Sequence, residues 1–93
     1  MYDRILKRMR EKVRTRQYVM TLHAEEEMDA DGLSILDVEG GILAGKIIER
    51  QKDRLTEEWT YLIEGVTNAG DRIVLVAKLS MTGKLVIITL YLA

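Results

Sequence analysis

The chain contains no cysteine, no proline and no phenylalanine, and only one histidine and one tryptophan. Without cysteine there is neither a disulfide framework nor a thiolate metal site, which argues against zinc and is compatible with a reducing compartment. Without phenylalanine the core has to be aliphatic. No apolar run approaches the roughly twenty residues of a membrane-spanning helix, and the charged start Met1-Tyr2-Asp3-Arg4 lacks the apolar segment of a secretory signal. A cytoplasmic protein with no membrane partner is therefore expected. There is also no phosphate-cradling glycine loop, no Ser-His-Asp order and no nucleotide fingerprint, so no cofactor and no metal are expected.

What is present is 93 residues, 47% of them apolar and 31% charged, the size and composition of one folded domain. The formal net charge is only −1, yet the signs are segregated along the chain. Arg4, Lys7, Arg8, Arg10, Lys12, Arg14 and Arg16 face only Asp3 and Glu11 in the first segment. From Glu25 to Glu39 there are seven acids, Glu25, Glu26, Glu27, Asp29, Asp31, Asp37 and Glu39, and no lysine or arginine. A cationic surface and an anionic surface follow.

Tyr2, Ile5, Leu6, Met9 and Val13 recur at helical spacing, predicting an amphipathic helix from about Tyr2 to Thr15. Gln17 to Leu22 is rich in β-formers and reads as a short extended piece leading to Thr21, a helix cap for a second helix over Leu22 to Ala30. Asp31-Gly32 ends that helix. Ser34 caps a third, with Asp37 three residues on in capping-box position, and Ile35, Val38, Ile42 and Leu43 form its apolar stripe up to Gly45. Beyond Gly45 the period becomes that of strands: Ile47 to Arg50, Glu58 to Gly65, Ile73 to Leu79 and Leu85 to Leu92. Asn68-Ala69-Gly70 and Met81-Thr82-Gly83 read as hairpin connectors, and Arg50 to Glu57 as a charged, mobile loop. The expected fold class is α+β, two to three N-terminal helices on a four-stranded antiparallel sheet. The last two strands are apolar on both faces, which suits central strands covered on both sides.

Taken together, His23-Ala24-Glu25-x-x-Met28, Asp31-Gly32, Asp37-Val38, Gly45-x-Ile47-Ile48-Glu49, Gly65, Gly70 and Ile88-Thr89-x-Tyr91 resemble the bacterial family called domain of unknown function 4258. That family looks related to the RelE and MqsR group of ribonuclease toxins. The resemblance implies a RelE-like or barnase-like architecture, the role of toxin in a toxin–antitoxin module, and an antitoxin partner encoded nearby. Many relatives carry histidine at the start of the third strand where this chain has Val74, so a mechanism using two histidines is not available here. Relatives also often continue into a charged tail beyond the position of Ala93.

Metal-independent cleavage of RNA needs a base for the 2′-hydroxyl, an acid for the leaving oxygen and cations for the phosphorane. The candidates are His23 as base or acid, Arg50 and Arg54 as phosphate clamps, Tyr61 or Tyr91 as hydroxyl donors, and Lys78 or Lys84 as electrostatic support. Arg4, Lys7, Arg8, Arg14 and Arg54 are the candidate nucleic-acid contacts. Each has a plainer reading. His23 can be a structural residue near a helix start, the first-helix cations a solvated exterior, and Trp59, Tyr61 and Tyr91 core aromatics. Glu25, Glu26 and Glu27 point in different directions around a helix and read as a solvated face. Two functions remain in view: an RNA-cleaving toxin, or a catalytically degenerate module of the same fold that binds a protein partner or a second copy of itself.

Overall fold

Leu6, Met9 and Val13 fall on one side of the first helix and are buried there, which is why α1 (Asp3–Arg14) forms as an amphipathic element. Its exit is a left-handed turn: the Arg16 N–H donates to the Val13 carbonyl at 3.2 Å and the Gln17 N–H to the Lys12 carbonyl at 2.8 Å, with Arg16 at φ 58°. Glycine is the usual residue at that position, and arginine there costs about 1 kcal/mol. The second helix, α2 (Leu22–Ala30), ends in the same motif with Gly32 in the left-handed place. It starts at Thr21, whose hydroxyl accepts the Ala24 N–H at 3.1 Å.

The computed structural model describes residues 1–93 and shows three helices and a five-stranded mixed sheet. The strands are β1 (Tyr18–Met20), β2 (Lys46–Lys52), β3 (Trp59–Val66), β4 (Arg72–Leu79) and β5 (Leu85–Leu92), in the spatial order β1-β5-β4-β3-β2. This corrects the expected four-stranded antiparallel sheet. Strands β2 to β5 do form an antiparallel meander, but β1 adds to the far edge of β5 in parallel, Tyr18 opposite Leu85 and Met20 opposite Ile87. The Leu85 N–H donates to the Gln17 carbonyl and the Thr21 N–H to the Ile87 carbonyl, both at 3.0 Å, satisfying an edge that would otherwise be bare. A second correction concerns the segment after Arg50: β2 continues to Lys52, and the turn that follows is closed by the Asp53 carboxylate accepting the Leu55 N–H at 2.8 Å.

All three helices lie on one side of the sheet. α3 (Ile35–Ala44) begins with the reciprocal Ser34–Asp37 box, and the second oxygen of Asp37 accepts the Asn68 N–H at 2.9 Å, which fastens the β3–β4 turn to the start of α3. Those backbone donors, Ser34 first and then Asn68, hold the Asp37 carboxyl below its usual range. Met9, Val13, Ala24, Val38 and Ile42 from the helices meet Tyr61, Ile63, Ile73, Leu75, Ala77, Leu85, Ile87 and Leu90 from the sheet in one core. The core is aliphatic apart from Tyr61, as the composition requires.

Gly40-Gly41 in the middle of α3 costs helix propensity, and the structure shows what the second of them permits. A Cβ on Gly65 of β3 would lie 2.6 Å from the Gly41 carbonyl oxygen and 2.7 Å from its Cα, so helix and strand touch backbone to backbone. Gly40 has nothing within 4 Å of its would-be Cβ. Gly65→Ala is therefore expected to destabilise the chain by about 2–3 kcal/mol through forced separation of α3 from β3. Gly40→Ala should stabilise it by about 0.5–1 kcal/mol. Urea unfolding of the two variants checks this, and equal effects would refute the contact.

Candidate functional site

The register of β2 against β3 builds the most chemically loaded corner of the molecule. Ile47 pairs with Ile63, but Glu49 pairs with Leu62, so Ile48 is an extra residue in a bulge. A bulge changes which side the following residues face. Beyond it Arg50 stands opposite Tyr61 and Lys52 opposite Trp59, on the helix side of the sheet. With regular pairing Glu49 would have taken the place beside Tyr61.

Arg50 is held by aromatic faces. Its Cζ lies 4.0 Å from the centre of the Trp59 ring and 5.9 Å from that of Tyr2, while the Lys52 Nζ lies 5.7 Å from the Trp59 ring. Tyr2, at the start of α1, meets Tyr61 edge-on at 6.0 Å and 75°. Above them α1 contributes Arg4 and Arg8, one turn apart on the same helix face. Two adjoining hollows, of about 230 and 300 Å³, share Ile5 and Tyr61; Arg4, Tyr2 and Arg50 line the first, Arg8, Trp59, Glu57 and Glu58 the second. Together they form one cleft between α1 and the β2–β3 pair.

Three arginines of this cleft have no ion-pair partner, although two acids line its second hollow. Lys52 is paired with Glu57 and Lys78 with Glu58, each at 3.0 Å, whereas no carboxylate lies within ion-pair distance of Arg4, Arg8 or Arg50. The acids of α2 neutralise none of the α1 cations. Trp59 is 40% exposed and Tyr61 only 6%. The core reading of the aromatics thus holds for Tyr61, while Trp59 offers a ring face to the outside. A guanidinium stacked on an indole keeps its planar donor edge for an anion, so the arrangement can hold a phosphate and stack a flat ring beside it.

The remaining candidates lie elsewhere. His23 is exposed on α2, which packs against β5 and β1, whereas Arg50 is on β2 at the opposite end of the strand order. Tyr91 pairs with Val74, on the side of the sheet away from the helices, so Tyr61 and Tyr91 face opposite ways. Arg14 lies 3.9 Å from Glu11; Lys7 and Arg54 are exposed and line neither hollow. Arg4, Arg8, Arg50 and Tyr61 are brought together; His23, Tyr91, Lys7, Arg14 and Arg54 are not part of that group. Trp59 presents its ring to the site instead of filling the core, and Tyr2, which the sequence marks only as part of the apolar stripe of α1, joins it. No three histidine or carboxylate groups gather where they could hold a metal ion.

A shallower hollow of about 470 Å³ lies at the other end, lined by Arg16, Tyr18 and Glu25 among others. There the Tyr18 hydroxyl donates to the Glu39 carboxylate, and burial first, then that hydrogen bond and the carboxylate charge, push Tyr18 up to about 12. The sign follows directly. The unfolded chain releases the phenol proton near pH 10 and the folded chain near 12, so this contribution is whole below pH 10 and is lost as pH rises to 12. In urea unfolding across that range the wild type should lose stability faster than Tyr18→Phe; parallel curves would refute the pairing.

A family model described as Domain of unknown function (DUF4258) matches residues 20–92. The match includes Arg50, Trp59 and Tyr61, whereas α1 with Arg4 and Arg8 precedes it. No curated protein and no solved structure matches the chain.

Proposed function

This chain belongs to the DUF4258 family, and we propose that it is a toxin-type domain that engages RNA through the cleft between α1 and the β2–β3 pair. The observation that carries the reading is Arg50 lodged over Trp59 at 4.0 Å, with Arg4 and Arg8 unpaired beside it. Single-stranded nucleic acid is bound by that combination, cations along the backbone and aromatic faces for the bases. The net charge of −1 does not oppose it, because the acids of α2 lie towards the β1–β5 edge, the two acids lining the cleft, Glu57 and Glu58, are paired with Lys52 and Lys78, and the field at the cleft is local.

The cleft contains no histidine. Its geometry therefore supports binding more strongly than scission, and any metal-independent cleavage there rests on Tyr61 as proton donor and on the arginines as partners for the phosphorane charge. Within a toxin–antitoxin module, an antitoxin would silence such a domain by covering this cationic corner. The second reading, a catalytically degenerate interaction module of the RelE-like class, is favoured by the apolar outer side of the sheet.

Titration of the purified chain with labelled single-stranded RNA tests the proposal. Affinity should fall about tenfold in Arg50→Ala and in Trp59→Ala, since stacking is worth about 1–3 kcal/mol per base, and it should fall steeply with added salt. His23→Ala should bind as the wild type does. Binding that is absent at low salt, or indifferent to both Arg50→Ala and Trp59→Ala, would remove the RNA reading.

A further inference from the structure

We propose that the first hollow of the cleft is a seat for a terminal phosphomonoester, so that the domain takes hold of RNA by a phosphorylated chain end instead of by its middle. This seat presupposes the RNA reading of the cleft and lies within the same site.

Tyr61 is the residue that points to a ligand. It is only 6% exposed and lines both hollows. A tyrosine buried to that extent ordinarily gives its hydroxyl a protein partner, as Tyr18 does with Glu39. The Tyr61 hydroxyl has none. No side-chain nitrogen or oxygen is sealed inside the protein without a partner, so this hydroxyl opens into the cleft and its proton is left to whatever enters.

Other donors converge on the same hollow. Arg4 and Arg50 line it, and neither is in an ion pair. Tyr2, Arg4 and Ile5, which also line it, are the start of the twelve-residue helix α1, where Tyr2 supplies no side-chain cap. The first N–H groups of a helix have no partner along the chain, and with the helix dipole they favour an anion.

Charge selects the kind of phosphate. An internal phosphodiester offers two non-bridging oxygens and one negative charge, whereas a terminal phosphomonoester offers three oxygens and about two charges near neutrality. Two guanidinium edges, a hydroxyl and a helix terminus match the second. The cationic zone is also short. Past Tyr2 the adjoining hollow is lined by Asp3 together with Lys46, and past Tyr61 Glu57 and Glu58 stand beside Arg8. A run of backbone phosphates would meet acids on both sides. A chain end leaves on one side only, past Arg8 and the exposed ring of Trp59.

Competition against an internally labelled single-stranded RNA is the test, with one unlabelled oligonucleotide in three forms: 5′-phosphorylated, 3′-phosphorylated, and with hydroxyls at both ends. At least one phosphorylated form should compete about tenfold better than the hydroxyl form, and which of them does so identifies the end. Against Arg4→Ala, and against Tyr61→Phe, which deletes only the hydroxyl, the three forms should compete alike while each variant keeps the wild-type circular dichroism spectrum. Trp59→Ala should weaken all three forms by the same factor and keep the preference. Three forms that compete equally against the wild type would overturn the proposal and leave the RNA reading standing, whereas RNA that does not bind at all would remove both. A preference that survives both Arg4→Ala and Tyr61→Phe would put the phosphate elsewhere and overturn the proposal as well.

Discussion

Backbone contact between α3 and β3 is the constraint from which the rest of the arrangement follows. A helix laid on a sheet is ordinarily held off by the side chains between them; here Gly41 and Gly65 remove that spacer, and a Cβ at either position would collide with its neighbours. The helix sits low, so Val38 and Ile42 reach the aliphatic core with no large aromatic needed to fill a gap. It also fixes where α1 can go. The Arg10 guanidinium donates to the Gly45 carbonyl at 2.8 Å and to the Ile42 carbonyl at 3.3 Å, serving the free carbonyls at the end of α3 and favoured by the negative pole there. One arginine of the cationic helix is thereby structural. Arg4 and Arg8, on another face of α1, are carried to the mouth of the cleft.

What could be read in the sequence is what local chemistry determines. The Ser34–Asp37 box, the Thr21 cap, the Gly32 exit, the apolar stripe of α1 and the glycines of the two hairpins each act within a few residues, and each stands where the spacing places it. The parts that could not be read depend on distant partners. β1 is three residues long and owes its existence to β5, with Thr21 bonding to Ile88 across 67 residues of chain. The Ile48 bulge has no signature in a run of apolar and charged residues. Arg16 ends a helix in a glycine-type geometry without being glycine, so that signal was missing too.

The candidate site was legible in residue type and illegible in arrangement. Arginines and tyrosines were the right chemistry to look for, but sequence does not say which side of a strand a residue occupies once a bulge intervenes. Histidine drew attention because its ionisation lies nearest neutrality. Placement on an exposed face of α2, at the β1–β5 edge, separates it from every arginine of the cleft by the width of the sheet. Val74 belongs to the outer side as well, 4% exposed between Glu64 and Tyr91.

Strand parity is what lets one thin domain present two separate surfaces. Along β3, Trp59 and Tyr61 turn towards the cleft while Thr60 and Leu62 turn outward, so the two sides share a strand without sharing a side chain. The Ile48 bulge preserves this division at the β2 edge. With the extra residue, Arg50 and Lys52 fall on the helix side and Glu49 and Gln51 on the outer side, where they hydrogen-bond to each other at 2.6 Å. With regular pairing beyond Ile47, Arg50 would stand on the outer side as an unpaired cation beside an apolar band, and the Trp59 ring would lose its guanidinium. A single inserted residue therefore turns Arg50 and Lys52 into the cleft and leaves Glu49 and Gln51 on the face opposite.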